Sequence, residues 1–488
     1  MERNLSDALA HHAKSRPQQI ALIDGSKEIS YAQLNDLVNW ASQNLLRQGC
    51  QSGQVVGLCL QDHWAHVVLM WSCMRAGLIM LPLDWRWTVS ERDAVIAHFK
   101  AQWIIHEEDV QSDSVSNLSW QSLLNENTST QIFDWPETSL ESPLLLSLSS
   151  GTTGRPKGPL ITHRHFLRRF WTHWINVGLN AKSRYVCATP LYFGGGRTFA
   201  LSVIFSGGTV ILCPPPFDTD VLAHTVVKHR ANALFLVPTH FRRLLNSSPE
   251  VRQSFQSLEV LISSGAPLQP NERDKILKEL CVNFYEYYAS TEGGGITLCT
   301  PEDFKHQLTS VGRPIFGVEV AIVDDDDKPI AKGNVGRLRY RGPGVADGFY
   351  NDPEQTSQHF KDGWFYPGDL GEIDSNGFVF LRGRSKDMII RGGVNIYPDE
   401  IEATLMLLPD LSEVCVMGVP HPDLGESVAC VWVGRNYLTA DDLRLHCAKS
   451  LAPYKVPKVW LRVEELPRNS GGKVVKKLLE AKLIESQS

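Results

Sequence analysis

A chain of 488 residues exceeds what one simple core holds and argues for two to four domains, at about 150 residues each. Its net charge of -6 and pI near 6.2 provide no general basic surface, so nucleic acid is set aside as the main partner and a small-molecule ligand is expected. Ten cysteines fall without a CxxC pair or metal-ligand spacing, as reduced thiols of a cytoplasmic protein do, and not as a disulfide frame or zinc site would.

The stretch Met1 to Pro17 lacks the apolar run of an export signal. From Leu5 to Leu46 apolar residues recur at helical spacing around Asp24-Gly25-Ser26, where Ile20 to Ile23 and Glu28 to Tyr31 read as a hairpin. Strands and helices then alternate: Val55 to Leu60, Ala65 to Ala76, Leu78 to Leu83 and Val89 to Phe99. The most membrane-like stretch, Trp64 to Leu83, carries His66, Arg75 and Pro82 and divides at Arg75-Ala76-Gly77, which predicts a buried helix and strand and no membrane span. Glu107 to Glu141 is rich in Ser, Asn, Gln and Thr and reads as a loop-rich connector, after which Leu144 to Leu148 is a buried strand.

That strand feeds Leu148-Ser149-Ser150-Gly151-Thr152-Thr153-Gly154-Arg155-Pro156-Lys157-Gly158. Its glycines let backbone N–H groups turn toward an anion, while its hydroxyls and the Arg155 and Lys157 cations suit phosphate. It is not a Walker loop, because Lys157 is followed by Gly158 and not by Ser or Thr. Composition alone fits a flexible polar turn equally well. Beyond it come a helix from Arg164 to Val177, strand Val186 to Thr189, a glycine-rich turn Phe193 to Gly196, a helix to Phe205, and strands Thr209 to Leu212, Ala233 to Val237 and Val260 to Ser263. This alternation predicts an α/β fold of layered sheets.

After Gly312 the texture changes to short strands at Val318 to Val323, Gly336 to Arg341 and Phe378 to Leu381, a small β subdomain in which Asp324 to Asp327 reads as a solvated turn and not a metal site. The last hundred residues read as a separate α+β module ending in a basic helix, Val474 to Leu483. We divide the chain into residues 1–385 and 386–488, at the polar junction Gly383-Arg384-Ser385-Lys386-Asp387.

Five stretches now stand in one order: SSGTTGRPKG, YYASTE at Tyr287 to Glu292, GWFYPGD at Gly363 to Asp369, GRSKDMIIRGG at Gly383 to Gly393, and NSGGK ending at Lys473. Together they resemble the adenylate-forming superfamily of acyl- and aryl-CoA synthetases, carrier-protein adenylation domains and luciferases. The resemblance implies a large N-terminal domain with a mobile C-terminal lid, and activation of a carboxylic acid by ATP and Mg²⁺. The implied phosphate clamp is Ser149, Ser150, Gly151, Thr152, Thr153, Gly154 and Lys157, with Thr291 on the α-phosphate and Glu292 as the Mg²⁺ ligand. Tyr288 resembles the aromatic that stacks on adenine, Gly265, Ala266 and Pro267 the turn on its other face, and Asp369 and Arg384 the ribose contacts. Lys386 falls at the hinge of the lid, and Lys473 resembles the lysine that reaches the reacting carboxylate. Gly392 and Gly393 would line the tunnel for an incoming thiol.

The implied acyl pocket draws on Trp171 and Trp174, on Phe193 and Gly194, and on Tyr287 and Ala289. Pro190 to Ala200 contains no acid to pair an ammonium, which disfavours a free α-amino acid, and bulky Tyr287 beside small Ala289 suits a flat or modest-length acid, so an aromatic or short-to-medium-chain acid is expected. Two departures from the family's pattern are Ala289, where Gly is usual, and Pro159, where a β-branched residue is common. The thiol acceptor is expected to be CoA. A free-standing enzyme that loads a carrier protein is the alternative, and a non-catalytic nucleotide-binding regulator a further one. The sequence leaves the oligomeric state open.

Overall fold

The computed structural model describes residues 4–107, 115–124, 134–148, 157–391, 394–468 and 474–487. Two largely parallel sheets form the body of the protein. Along one lie the strands Phe284–Ser290, Val260–Ser263, Ala233–Leu236, Arg184–Cys187, Thr209–Leu212 and Ile20–Asp24, with antiparallel strands closing both edges. The other runs through Ser116–Ser119, Trp103–His106, Val55–Cys59, Ile79–Pro82 and Pro143–Leu146, and ends on the antiparallel Leu160–Thr162. Strands such as Ala233–Leu236 and Val260–Ser263 are buried at every position, as continuous apolar runs in a parallel sheet covered on both faces must be.

Between the sheets sits a single core that joins Trp71, Phe166, Phe170, Phe199, Phe235 and Tyr287. The helix Trp64–Arg75 is buried from Ala65 through Arg75, which is why it carries no polar face. Helix His163–Val177 begins on Thr162, whose side chain accepts from the His165 N–H, and stops at Gly178 in the left-handed region, φ 76°. Ser116–Ser119 pairs with Trp103–His106 and leads into a short helix, Trp120–Leu123, so the expected connector contributes an edge strand. Its polar side chains hid a ladder made by backbone groups.

A third sheet gathers Gly336–Arg341, Glu319–Val323, Asp369–Ile373 and Val379–Arg384 into the small β subdomain. Its Asp324 turn is closed by the Asp324 carboxylate, which accepts from the N–H groups of Asp326 and Lys328. The C-terminal part folds around the long hairpin of Leu411–His421 and Gly425–Gly434, with its own apolar core. The ten cysteines are unbridged, and no helix among the described residues is long and apolar enough to cross a membrane.

Candidate functional site

Strand Phe284–Ser290 organises the site because neighbouring side chains leave it on opposite faces. It is anchored by Glu286, buried and gripped by Arg273 Nε at 2.6 Å and Nη2 at 2.9 Å. Tyr287 points into the core, 5% exposed, while Tyr288 points the other way and donates its hydroxyl to the Asp369 carboxylate. Arg384 Nε lies 2.9 Å from the other oxygen of Asp369. Strand Val260–Ser263 runs parallel beside it, in the register Leu261 to Phe284 and Ser263 to Glu286. Both strands therefore end at one edge, where Gly265, Ala266 and Pro267, which follow Ser263, are exposed. Gly265 has φ 100°, a backbone turn that L side chains strain to adopt.

The Thr291-Glu292 turn follows directly, between this strand and Gly294–Cys299. Its carbonyls are held from beneath by Arg169, which donates from Nη2 to Glu292 O at 2.7 Å and to Thr291 O at 3.3 Å, and from Nε to Gly344 O at 3.0 Å. Burial pulls the Arg169 pKa down to about 10. A Cβ at Gly344 would stand 2.9 Å from this side chain, so glycine is what admits the arginine.

Of the residues implied as the phosphate clamp, Lys157 is the described one. Its Nζ lies 2.9 Å from His359 Nε2, and His359 Nδ1 lies 2.9 Å from Tyr366 O. A carbonyl can only accept, so Nδ1 carries the proton and Nε2 accepts from the ammonium. Burial lowers the pKa of Lys157, opposed by the negative charges of Glu292 and Asp352 and reinforced by the positive charges of Lys386 and Arg384. Lys157, Glu292, Arg384 and Lys386 thus share one electrostatic neighbourhood. Lys386 lies in the tight turn Ser385–Asp387, immediately after strand Val379–Arg384.

Phe193 caps helix Gly194–Ser206, so the glycine-rich stretch expected as a turn is the first turn of that helix. Close packing selects glycine there: a Cβ at Gly195 would stand 2.6 Å from the Phe235 ring. Trp171 and Trp174, expected to line the acyl pocket, are 48% and 60% exposed. They lie on the outer face of helix His163–Val177, and His173 takes the inner place, stacked on Phe199 with ring centroids 4.4 Å apart. Ala289 is exposed, beyond a register shift that follows Tyr288. Ser149, Ser150, Gly151, Thr152, Thr153, Gly154, Gly392, Gly393 and Lys473 lie outside the described residues. Arg169, His173 and His359 were missed by sequence reasoning. Nothing in spacing or periodicity distinguishes them, since their roles come from partners 7 to more than 100 residues away.

The family described as AMP-binding enzyme matches residues 9–350. The chain belongs to that family. Residues 400–473 match the description AMP-binding enzyme C-terminal domain. Among curated relatives, a feruloyl-CoA synthase from Amycolatopsis is 30% identical over 475 residues, covering 95% of this chain and 96% of its own length. A 2-succinylbenzoate–CoA ligase from Bacillus pumilus is 31% identical over 482 residues and 97% of both chains. The ATP-bound structure of MatB from Rhodopseudomonas palustris superposes with a TM-score of 0.92 over 100% of both chains, at 28% identity.

Proposed function

We propose that this member of the family is an AMP-forming acid:CoA ligase, which activates an aromatic or short-to-medium carboxylic acid as its acyl-adenylate and transfers the acyl group to CoA. The observation that carries this reading is the convergence of the Lys157 ammonium, the Glu292 carboxylate and the Asp369–Arg384 pair around one strand end. These groups supply what a nucleoside triphosphate requires: charge for phosphate, an acceptor for ribose hydroxyls and an aromatic face in Tyr288. The relatives named as CoA ligases, matched along nearly their whole length, support the same reaction.

In the first half-reaction an oxygen of the acid attacks the α-phosphorus, and the bond to pyrophosphate breaks. Lys157 holds the departing phosphates, aided in our assignment by Ser149, Ser150, Gly151, Thr152, Thr153 and Gly154. Thr291 contacts the α-phosphate, and Arg169 keeps that hydroxyl in place by fixing its turn. Asp369 accepts from the ribose hydroxyls, and Arg384 keeps its carboxylate oriented. Glu292 would hold Mg²⁺. It is partly exposed, no group of three or more His, Cys, Asp or Glu that could hold a metal ion is found among the described residues, and a site of one carboxylate completed by phosphates fits this ion. When bound, Mg²⁺ supplies charge that neutralises the phosphates. Lys473 is assigned to the approaching carboxylate.

In the second half-reaction the CoA sulfur attacks the acyl carbon and AMP leaves with the bonding electrons. We assign Lys386 to the hinge between residues 1–385 and 386–488, and Gly392 and Gly393 to the thiol path. The test is acid-dependent exchange of labelled pyrophosphate into ATP over a panel of aryl, aliphatic and amino acids, followed by thioester analysis with CoA and with a carrier protein. Exchange with an aryl or aliphatic acid and a CoA thioester is expected. No exchange with any acid would sink the reading, and thioester on carrier protein alone would replace CoA as acceptor.

A further inference from the structure

Three walls of the acyl side meet at Phe199: helix His163–Val177 through His173, helix Gly194–Ser206 through Phe199 itself, and strand Phe284–Ser290 through Tyr287. The surroundings are aromatic. His173 stacks on Phe199 at 4.4 Å between centroids, Phe235 lies 5.0 Å from it, and Tyr287 is 6.3 Å from Phe199 and 6.4 Å from His173. The Tyr185 hydroxyl, on a ring 6.2 Å from Phe199, is buried in this layer with no hydrogen-bond partner, and so, on the two rings 6.4 Å apart, are His173 Nδ1 and the Tyr287 hydroxyl. His173 and Tyr287 are only 6% and 5% exposed.

Unpaired polar groups on these two rings, set edge to face, are costly in such a layer unless something pairs them. Their chemistry identifies the something. Burial lowers the His173 pKa to about 3, so its imidazole is neutral, with one donating and one accepting nitrogen. Tyr287 remains a phenol and can both donate and accept. A neutral hydroxyl, which itself donates once and accepts, satisfies both. A carboxylate would place a buried negative charge against two uncharged partners. The ring walls, meanwhile, suit a flat aromatic body.

Resting on the ligase reading above, we infer that the substrate is an aromatic acid carrying a hydroxyl on the end of the ring remote from its carboxylate, bound by His173 and Tyr287 as specificity-determining residues. A site built to hydrogen-bond a substrate hydroxyl rejects the analogue that lacks it far more strongly than an apolar pocket can discriminate by shape.

The experiment compares kcat/KM for pyrophosphate exchange with benzoic, phenylacetic and cinnamic acids, each unsubstituted and with para-methyl, para-hydroxyl or para-carboxyl groups. In the series of best-fitting length, the hydroxyl member is expected to exceed the methyl member by at least about tenfold. Tyr287→Phe should reduce that ratio to near one, and His173→Phe, which keeps the stack on Phe199, should reduce it also. The ratio is internal to each preparation, so a loss of folded enzyme does not imitate the result. A second readout needs no substrate: Tyr287→Phe removes an unpaired hydroxyl and should leave the Tm of the free enzyme equal or higher. Equal use of the methyl member in every series, preference for the carboxyl member, a ratio that Tyr287→Phe leaves intact, or a lowered Tm would each overturn the inference. Exchange without hydroxyl preference defeats only this inference, whereas no exchange with any acid defeats the ligase reading with it.

Discussion

Two adjacent tyrosines separate the two halves of the site. The hydroxyl of Tyr288 is engaged by Asp369, which Arg384 also grips, while the hydroxyl of Tyr287, one residue earlier, has no partner. On the side proposed for the nucleotide, polar groups hold one another in advance: Lys157 on His359, and the Thr291-Glu292 carbonyls on Arg169. On the side proposed for the acid, unpaired polar atoms lie inside an aromatic layer. Preorganised charge suits a ligand that every family member shares, and an unpaired donor or acceptor suits the one ligand that distinguishes this member. Changes on the first side should therefore alter rate with all acids equally, and changes on the second should alter the choice among acids.

The largest effect expected is that of Lys473→Ala, which should lower adenylation by about a thousandfold or more. Thioester formation from preformed acyl-adenylate should stay near wild type, as measured by single turnover. Equal loss in both half-reactions would remove Lys473 from the first step alone. Asp369→Ala comes next. It deletes the assigned ribose acceptor and leaves Tyr288 and Arg384 without their shared partner, so kcat/KM for ATP should fall by about a hundredfold, an effect of about 3 kcal/mol. Ratios between acids should not move. If they did, the separation of the two tyrosine faces would be wrong.

The same contrast explains what could be read without a structure. Parallel strands such as Ala233–Leu236 were legible because burial on both faces leaves nothing but apolar residues, and the residues proposed to hold the nucleotide could be picked out because each lies in a motif that is contiguous in sequence. The acyl side is assembled from helices and strands far apart in the chain. Trp171 and Trp174 were attractive as pocket walls because they are large and aromatic, yet helical phase turns them outward and brings His173 in. Arg169 was indistinguishable from any surface arginine of a helix until the Gly344 and Gly294 backbones were seen to pack against it. The first turn of helix Gly194–Ser206 was concealed by three glycines, which disfavour helix intrinsically, although Gly195 is what admits the Phe235 ring.

Arg169→Met tests the support beneath the nucleotide side. It should destabilise the protein by about 2–4 kcal/mol, because the carbonyls of Thr291, Glu292 and Gly344 lose a buried donor. The urea midpoint should fall, and adenylation should fall with every acid alike. A variant that kept both stability and rate would show the turn to be held by the strand alone.

The smallest effect concerns the connection between the two sides. Asp62 is buried, and one of its oxygens accepts from the Leu191 N–H at 2.6 Å, which fixes the chain two residues before Phe193. Burial raises its pKa to about 6, opposed by the Leu191 N–H, His63 and Arg86 and assisted by Asp84. A carboxyl whose native pKa lies above its unfolded value binds protons preferentially in the folded state. Its stabilising contribution is complete below about pH 4 and is lost as pH rises through about 6. Asp62→Asn keeps an oxygen for Leu191 without the charge. The variant should thus be more stable than wild type by about 3 kcal/mol at pH 7.5, with the advantage shrinking toward pH 4, as read from urea midpoints across that range. The selectivity ratio should hardly change, because the turn to Phe193 keeps its acceptor. A constant advantage at all pH values would mean that the native pKa of Asp62 is not raised, and that the Leu191 N–H and the His63 and Arg86 charges balance burial.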